Sequence, residues 1–141
     1  MTIQFDPGIL RGIQRHGEAA YPNEGCGLLL GHALETDKHV VEYLPIKNER
    51  EAEAAHNRYL ITATDMLMGE VVAADRGLEV IGIFHSHPDH PAEPSEFDRD
   101  HALPWYSYII TSVQNGQAVV SRSWLLADDR SAFSEESISS Q

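Results

Sequence analysis

His85, Ser86 and His87 follow directly on an apolar run, Val80-Ile81-Gly82-Ile83-Phe84. The run reads as a buried strand. On a strand, residues two apart point to the same side, so His85 and His87 aim two imidazoles at one point. Asp98 follows in Ser95-Glu96-Phe97-Asp98, which reads as the first turn of a short helix. Two imidazoles and a carboxylate, with no evident fourth protein group, form the donor set of an open zinc site. The chain has eight histidines, and the pattern singles out two of them. His16, His32, His39, His56 and His101 have no partner pattern and read as surface residues. Cys26 lacks a basic neighbour to lower its pKa, so it reads as a small buried residue rather than a nucleophile.

These residues must be positioned by a fold, and 141 residues make about one domain. Asp6-Pro7 reads as a helix start, with an apolar stripe of Ile9, Leu10, Ile13 and Ala20 and an end at Tyr21-Pro22. Leu28-Leu29-Leu30, between glycines, reads as a buried strand. His39–Ile46 reads as a second strand. Residues 47–58 read as a short polar helix or surface loop, and Tyr59-Leu60-Ile61 as an edge strand. Thr64-Asp65 opens a helix to about Arg76, with Gly77 as its C-cap. Leu78–Phe84 is then the strand that delivers the histidines. Ser95–Leu103 reads as a short helix. Tyr106–Val113 and Ala118–Leu126 read as a hairpin turning at Gln114-Asn115-Gly116-Gln117. Strands interleaved with two or three helices give an α/β or α+β class with one mixed sheet. The domain is expected over residues 1–127, with 128–141 a disordered Ser- and acid-rich tail.

Charge narrows the partners. Ten Lys and Arg against 22 Asp and Glu give a net charge of −12. Phosphate binding requires clustered basic residues, so nucleic acid is excluded as a partner. The first residues lack the basic and apolar segments of a signal peptide, and no apolar run approaches the roughly 20 residues of a membrane span. A single cysteine permits no intramolecular disulfide. A soluble cytoplasmic protein is expected.

Two metal motifs compete for the histidines. His85-x-His87-x-Asp89-His90 matches the HxHxDH signature of metallo-β-lactamase-type hydrolases. That fold requires a further His well downstream, whereas the last histidine here is His101. The other reading uses more of the chain. His85 and His87, seven residues, Ser95, two residues and Asp98 form HxHx(7)SxxD, and Glu24 stands upstream in EGCGLLLG. Together these resemble the JAMM (MPN+, Mov34/PAD-1) metalloprotease family over roughly Ile9 to Leu126, and most closely its small bacterial type. Asn48 and Tyr59-Leu60-Ile61 stand where that family has a loop Asn and a short strand.

The resemblance implies a cytidine-deaminase-like MPN domain with a single mixed, mainly antiparallel sheet. It implies one Zn²⁺ per chain on His85, His87 and Asp98, with Glu24 as general base and Ser95 as donor to the oxyanion. The implied substrate is the flexible C-terminal tail of a ubiquitin-like or sulfur-carrier protein, including a carrier–cysteine adduct. Asn48 and residues 47–58, with Trp105 and Tyr106, are expected to wall the substrate site. Oligomeric state is left open. The rival reading is a non-catalytic scaffold of the same fold. A zinc nucleobase deaminase is excluded because its PCxxC element needs two cysteines.

Overall fold

The computed structural model describes residues 1–47, 59 and 61–140. In chain order its elements are β1 (Thr2–Phe5), α1 (Ile9–Ala20), β2 (Cys26–Ala33), β3 (Lys38–Ile46), α2 (Ala63–Asp75), β4 (Glu79–Pro88), α3 (Glu96–His101), β5 (Ser107–Gln114), β6 (Gln117–Leu126) and β7 (Phe133–Ser140). The strands close into one ring in the order β1-β3-β2-β4-β5-β6-β7. The sheet is mixed. β1 runs parallel to β3 and β7, and β4 parallel to β5, while β2/β3, β2/β4, β5/β6 and β6/β7 are antiparallel. A parallel β4/β5 pair cannot be joined by a tight turn, and the crossover between them carries α3.

The sheet buries both faces. On one, Ile13 of α1 packs with Phe84, Ile81, Leu29, Val40 and Ile109. On the other, Leu28, Leu30, Val80, Ile83 and Tyr108 pack with Ala73 of α2 and with Tyr59. This explains the unbroken run Leu28-Leu29-Leu30: with both faces covered, alternation is not required. The Gln114–Gln117 turn forms as expected, with Asn115 and Gly116 both at positive φ (52° and 82°). That is the pair of conformations a two-residue hairpin turn requires.

Several boundaries differ from expectation. Asp6 does not cap α1. Its carboxylate lies 2.6 Å from His39 Nε2, and the helix begins beyond Gly8 without a side-chain cap. Thr62, not Thr64, caps α2, in a reciprocal capping box with Asp65. Tyr59 and Ile61 belong to no strand, while Leu60 and residues 48–58, including Asn48, lie outside the described residues.

The largest correction concerns residues 128–141, expected to be disordered: Phe133–Ser140 is β7. Its composition looks solvated, but one of its polar groups is built into the interior. Glu136 is buried, and its Oε1 accepts hydrogen bonds from Ser107 and Ser123, both at 2.8 Å. Lys38 Nζ donates to the same Ser107 hydroxyl at 2.9 Å. β7 is also the strand that links β6 to β1. Deleting residues 128–141 is therefore expected to open the ring and abolish a cooperative thermal transition. A truncated chain that melts cooperatively near the full-length temperature would contradict this.

Candidate metal centre

Strand β4 carries the site, and its register decides which way the histidines face. Leu29 of β2 pairs with Gly82, but Leu30 pairs with Val80, leaving Ile81 as an extra residue. A bulge of this kind resets the alternation of a strand. Val80 and Ile83, three apart, thus both face the α2 side, and the period of two from Ile83 puts His85 and His87 there as well. Both are buried, as is Asp98 on α3.

The three side chains meet at one point. His85 Nε2 lies 3.1 Å from His87 Nε2. Asp98 Oδ1 is 3.2 Å from the first and Oδ2 is 3.1 Å from the second. His87 Nδ1 lies 2.9 Å from the Pro91 carbonyl, so Nδ1 carries the proton and a neutral ring turns the Nε2 lone pair inward. The contact of His87 Nε2 with Asp98 Oδ2 then sets lone pair against lone pair. A proton there relieves it by charging His87 or by neutralising Asp98, whereas one cation between the three donors satisfies all of them. Donors about 2.0–2.1 Å from a tetrahedral zinc stand roughly 3.4 Å apart, close to the separations found here. The donor set therefore fits a metal ion.

The electrostatics agree. Burial alone would lower the His87 pKa, but the hydrogen bond to Asp98 and its charge reverse this and hold it above the ordinary value. Burial works against the Asp98 carboxylate, yet the charge of His85 and hydrogen bonds from both imidazoles hold its carboxyl well below the usual range. The site favours positive charge.

Glu24 reaches the cluster through the β2/β4 register. Cys26 pairs with His85, so two residues earlier Glu24 stands opposite His87 and on the same face. It is 4% exposed. One ligand atom each from Glu24, His85 and His87 lie within 4.8 Å of one another. Burial raises the Glu24 pKa; the two imidazoles pull it back and Asp98 adds to the rise, leaving it above the ordinary value. A carboxyl raised in this way holds a proton more readily than a solvated one.

Ser95 and Asp98 form a full capping box on α3. Ser95 Oγ accepts from the Asp98 N–H at 3.1 Å, and Asp98 Oδ2 accepts from the Ser95 N–H at 2.9 Å. The cap and the cluster use the same carboxylate. The box fixes the rotamer that presents Asp98 to the histidines, an outer-shell role of the kind metal ligands need.

Two residues at the site escaped sequence reasoning. Tyr59 stacks on His85, with ring centroids 4.4 Å apart at 23°. His85 Nδ1 has no hydrogen-bond partner among the described residues, so stacking on Tyr59 and the Nε2 contact with Asp98 orient that ring. Ser86 Oγ accepts from the Gly25 N–H at 2.8 Å, beside Glu24. Neither residue type signals such a role in sequence, because both roles arise from contacts between segments distant in the chain. Asp89, in the rejected HxHxDH motif, turns away from the cluster. It accepts from the Tyr21 hydroxyl and the Asn115 N–H.

A cleft of about 360 Å³, lined by Glu24, His87, His90, Pro91, Glu93 and Ser95, opens over the cluster. A second, apolar cavity of about 180 Å³ is bounded by Tyr59, Ile83, Phe97, Leu103 and Tyr108. Trp105 lines neither. It lies under the Lys38 ammonium, 5.3 Å from Nζ to the ring centroid. β5 starts opposite Gly82, at the end of β4 away from the histidines. Tyr106 packs with the α2-side core. The structure does not bring these two residues to the cluster, so their placement lends no support to their walling it. Cys26 is buried and its thiol is pushed up to about 12, first by burial and then by Glu24.

Comparison with known proteins follows the same lines. The family model "prokaryotic homologs of the JAB domain" matches residues 7–127. A tail tip assembly protein K from Escherichia phage N15 is 32% identical over 98 residues, 67% of this chain and 35% of the phage protein. The chain thus spans about a third of that relative's length. A probable TtuB-protein conjugate cleaving protease from Thermus thermophilus is 27% identical over 110 residues, 78% of this chain and 70% of the relative. Among solved structures, a protein from Salinibacter ruber is 40% identical with a TM-score of 0.77, over 98% of this chain and 91% of its own. A JAB1/MPN domain protein from Archaeoglobus fulgidus shares the fold at 18% identity and a TM-score of 0.57, over 96% of this chain and 98% of its own.

Substituting His87→Ala is expected to weaken zinc binding by about 10²-fold or more, measured by equilibrium titration against a competing chelator. Unchanged affinity in the variant would remove His87 from the donor set.

Proposed function

This chain belongs to the prokaryotic JAB-domain family, and from that premise we propose that it is a zinc-dependent peptidase or isopeptidase. Its proposed substrate is the C-terminal tail of a ubiquitin-like or sulfur-carrier protein. The observation that carries the reading is the buried cluster of His85, His87 and Asp98 with Glu24 beside it. The Thermus thermophilus relative, named as a probable conjugate-cleaving protease, supports a protein conjugate as substrate.

His85, His87 and Asp98 would hold the ion. Zinc in such an open site acidifies a coordinated water towards a pKa of ~7 and polarises the scissile carbonyl. Glu24, beside the cluster, would accept a proton from the attacking water and, with a carboxyl held above its ordinary pKa by burial, would pass it to the leaving nitrogen. Ser95 donates its hydroxyl proton to the oxyanion that develops on the carbonyl. Capping and catalysis are compatible there: the cap uses an Oγ lone pair, receiving the Asp98 N–H, and leaves the O–H free to donate. The cleft over Glu24 and Ser95 admits an extended tail, and the apolar cavity lined by Tyr59 is available to one of its side chains.

The Glu24→Gln variant is expected to keep its zinc and lose about 10²–10⁴-fold in turnover. Retained turnover would show that Glu24 is not the base. Ser95→Ala is expected to lose about 10²–10³-fold in kcat and to destabilise α3 by about 1 kcal/mol through the lost cap. A variant with the stability loss alone would confine Ser95 to capping. Both are read on a carrier–cysteine adduct and on a Lys-linked isopeptide, by mass spectrometry of the products. Cleavage of one and not the other identifies the leaving group, and zinc-loaded protein that cleaves neither contradicts the proposal.

A further inference from the structure

The residue between the two histidines faces the other way. Ser86 is 2% exposed and points towards α1. It meets the chain at Gly25 twice. The Ser86 N–H donates to the Gly25 carbonyl at 3.0 Å, which continues the β2/β4 ladder by one more bond. The Gly25 N–H donates to the Ser86 hydroxyl at 2.8 Å. The side chain thus takes over as the ladder ends, at the residue next to Glu24. From behind, Gly17 of α1 holds Ser86 in place: a Cβ built on Gly17 would lie 3.1 Å from Ser86 Cβ and 3.2 Å from Val113 Cγ2. Glu24 stands next to Gly25, just before the first residue of β2, so the anchoring of Gly25 bears on where its carboxylate stands.

Resting on the peptidase reading above, we propose that Ser86 is a positioning residue for Glu24. Because β4 supplies the anchor, the base is tied to the strand that carries His85 and His87. A shift of about 1 Å in a reacting group can cost 10²-fold in rate. In Ser86→Ala the buried Gly25 N–H loses its acceptor, and Glu24 loses its fixed distance from the cluster while the ligands keep theirs.

The test uses the full chain, with zinc binding, steady-state kinetics on the cleaved tail substrate, and amide hydrogen exchange at Gly25 in the metal-free protein. Ser86→Ala is expected to bind zinc with wild-type stoichiometry and affinity. Its kcat should fall about 10–100-fold with KM within about twofold, and Gly25 exchange should quicken by about 10-fold or more. Gly17→Ala, which presses on Ser86 without touching Glu24, should lower kcat in the same direction at unchanged zinc affinity. Ile109→Val, a core change of about 0.5–1.5 kcal/mol, controls for stability and should leave kcat unchanged. An active wild type with full kcat in Ser86→Ala overturns the positioning role. So does a loss of kcat that tracks zinc affinity, which would make Ser86 a support of the ligands instead. A zinc-loaded wild type that cleaves no tail substrate overturns the peptidase reading itself.

Discussion

Three electron-rich side chains crowd one buried point. Two imidazole nitrogens stand 3.1 Å apart, and each faces an oxygen of Asp98 at 3.1 or 3.2 Å. Such a group is unfavourable in a low-dielectric interior unless positive charge sits within it. The fold commits heavily to holding it. β4 is sandwiched between β2 and β5, the Ile81 bulge turns the histidines to the α2 face, and Tyr59 covers His85. Once that point is fixed, the rest of the proposed chemistry is a matter of what the neighbouring chain brings up to it.

What it brings is held by bonds with two uses. The capping box that starts α3 also orients the Asp98 carboxylate. The ladder that ends β2 also anchors the residue beside Glu24. In each case a hydrogen bond that a helix or strand terminus needs for its own sake sets the position of a group at the cluster. A change at either terminus is therefore felt in both stability and chemistry.

The legibility of this arrangement in the sequence was uneven, for physical reasons. The histidine pair was readable because a strand's period of two is a local property, and the α3 cap because SxxD is a local motif. Glu24 was visible only through the family resemblance, since its approach depends on the pairing of Cys26 with His85 across the sheet. Ser86 was passed over because a serine between two histidines carries no local signal. β7 was misread because serine and glutamate are poor strand formers in isolation, and only the Ser107 and Ser123 hydroxyls explain a buried Glu136. Asp6-Pro7 looked like a helix start, yet a tertiary partner, His39, takes the aspartate instead.

The central claim is that His85, His87 and Asp98 bind zinc and leave one coordination position open. X-ray absorption at the zinc edge tests it most directly. The expected spectrum has a first shell of four nitrogen and oxygen scatterers at about 2.0–2.1 Å, with the outer-shell signature of two imidazoles. A sulfur scatterer near 2.3 Å, the distance of a Cys26 thiolate ligand, or a six-coordinate shell without imidazole, would contradict it.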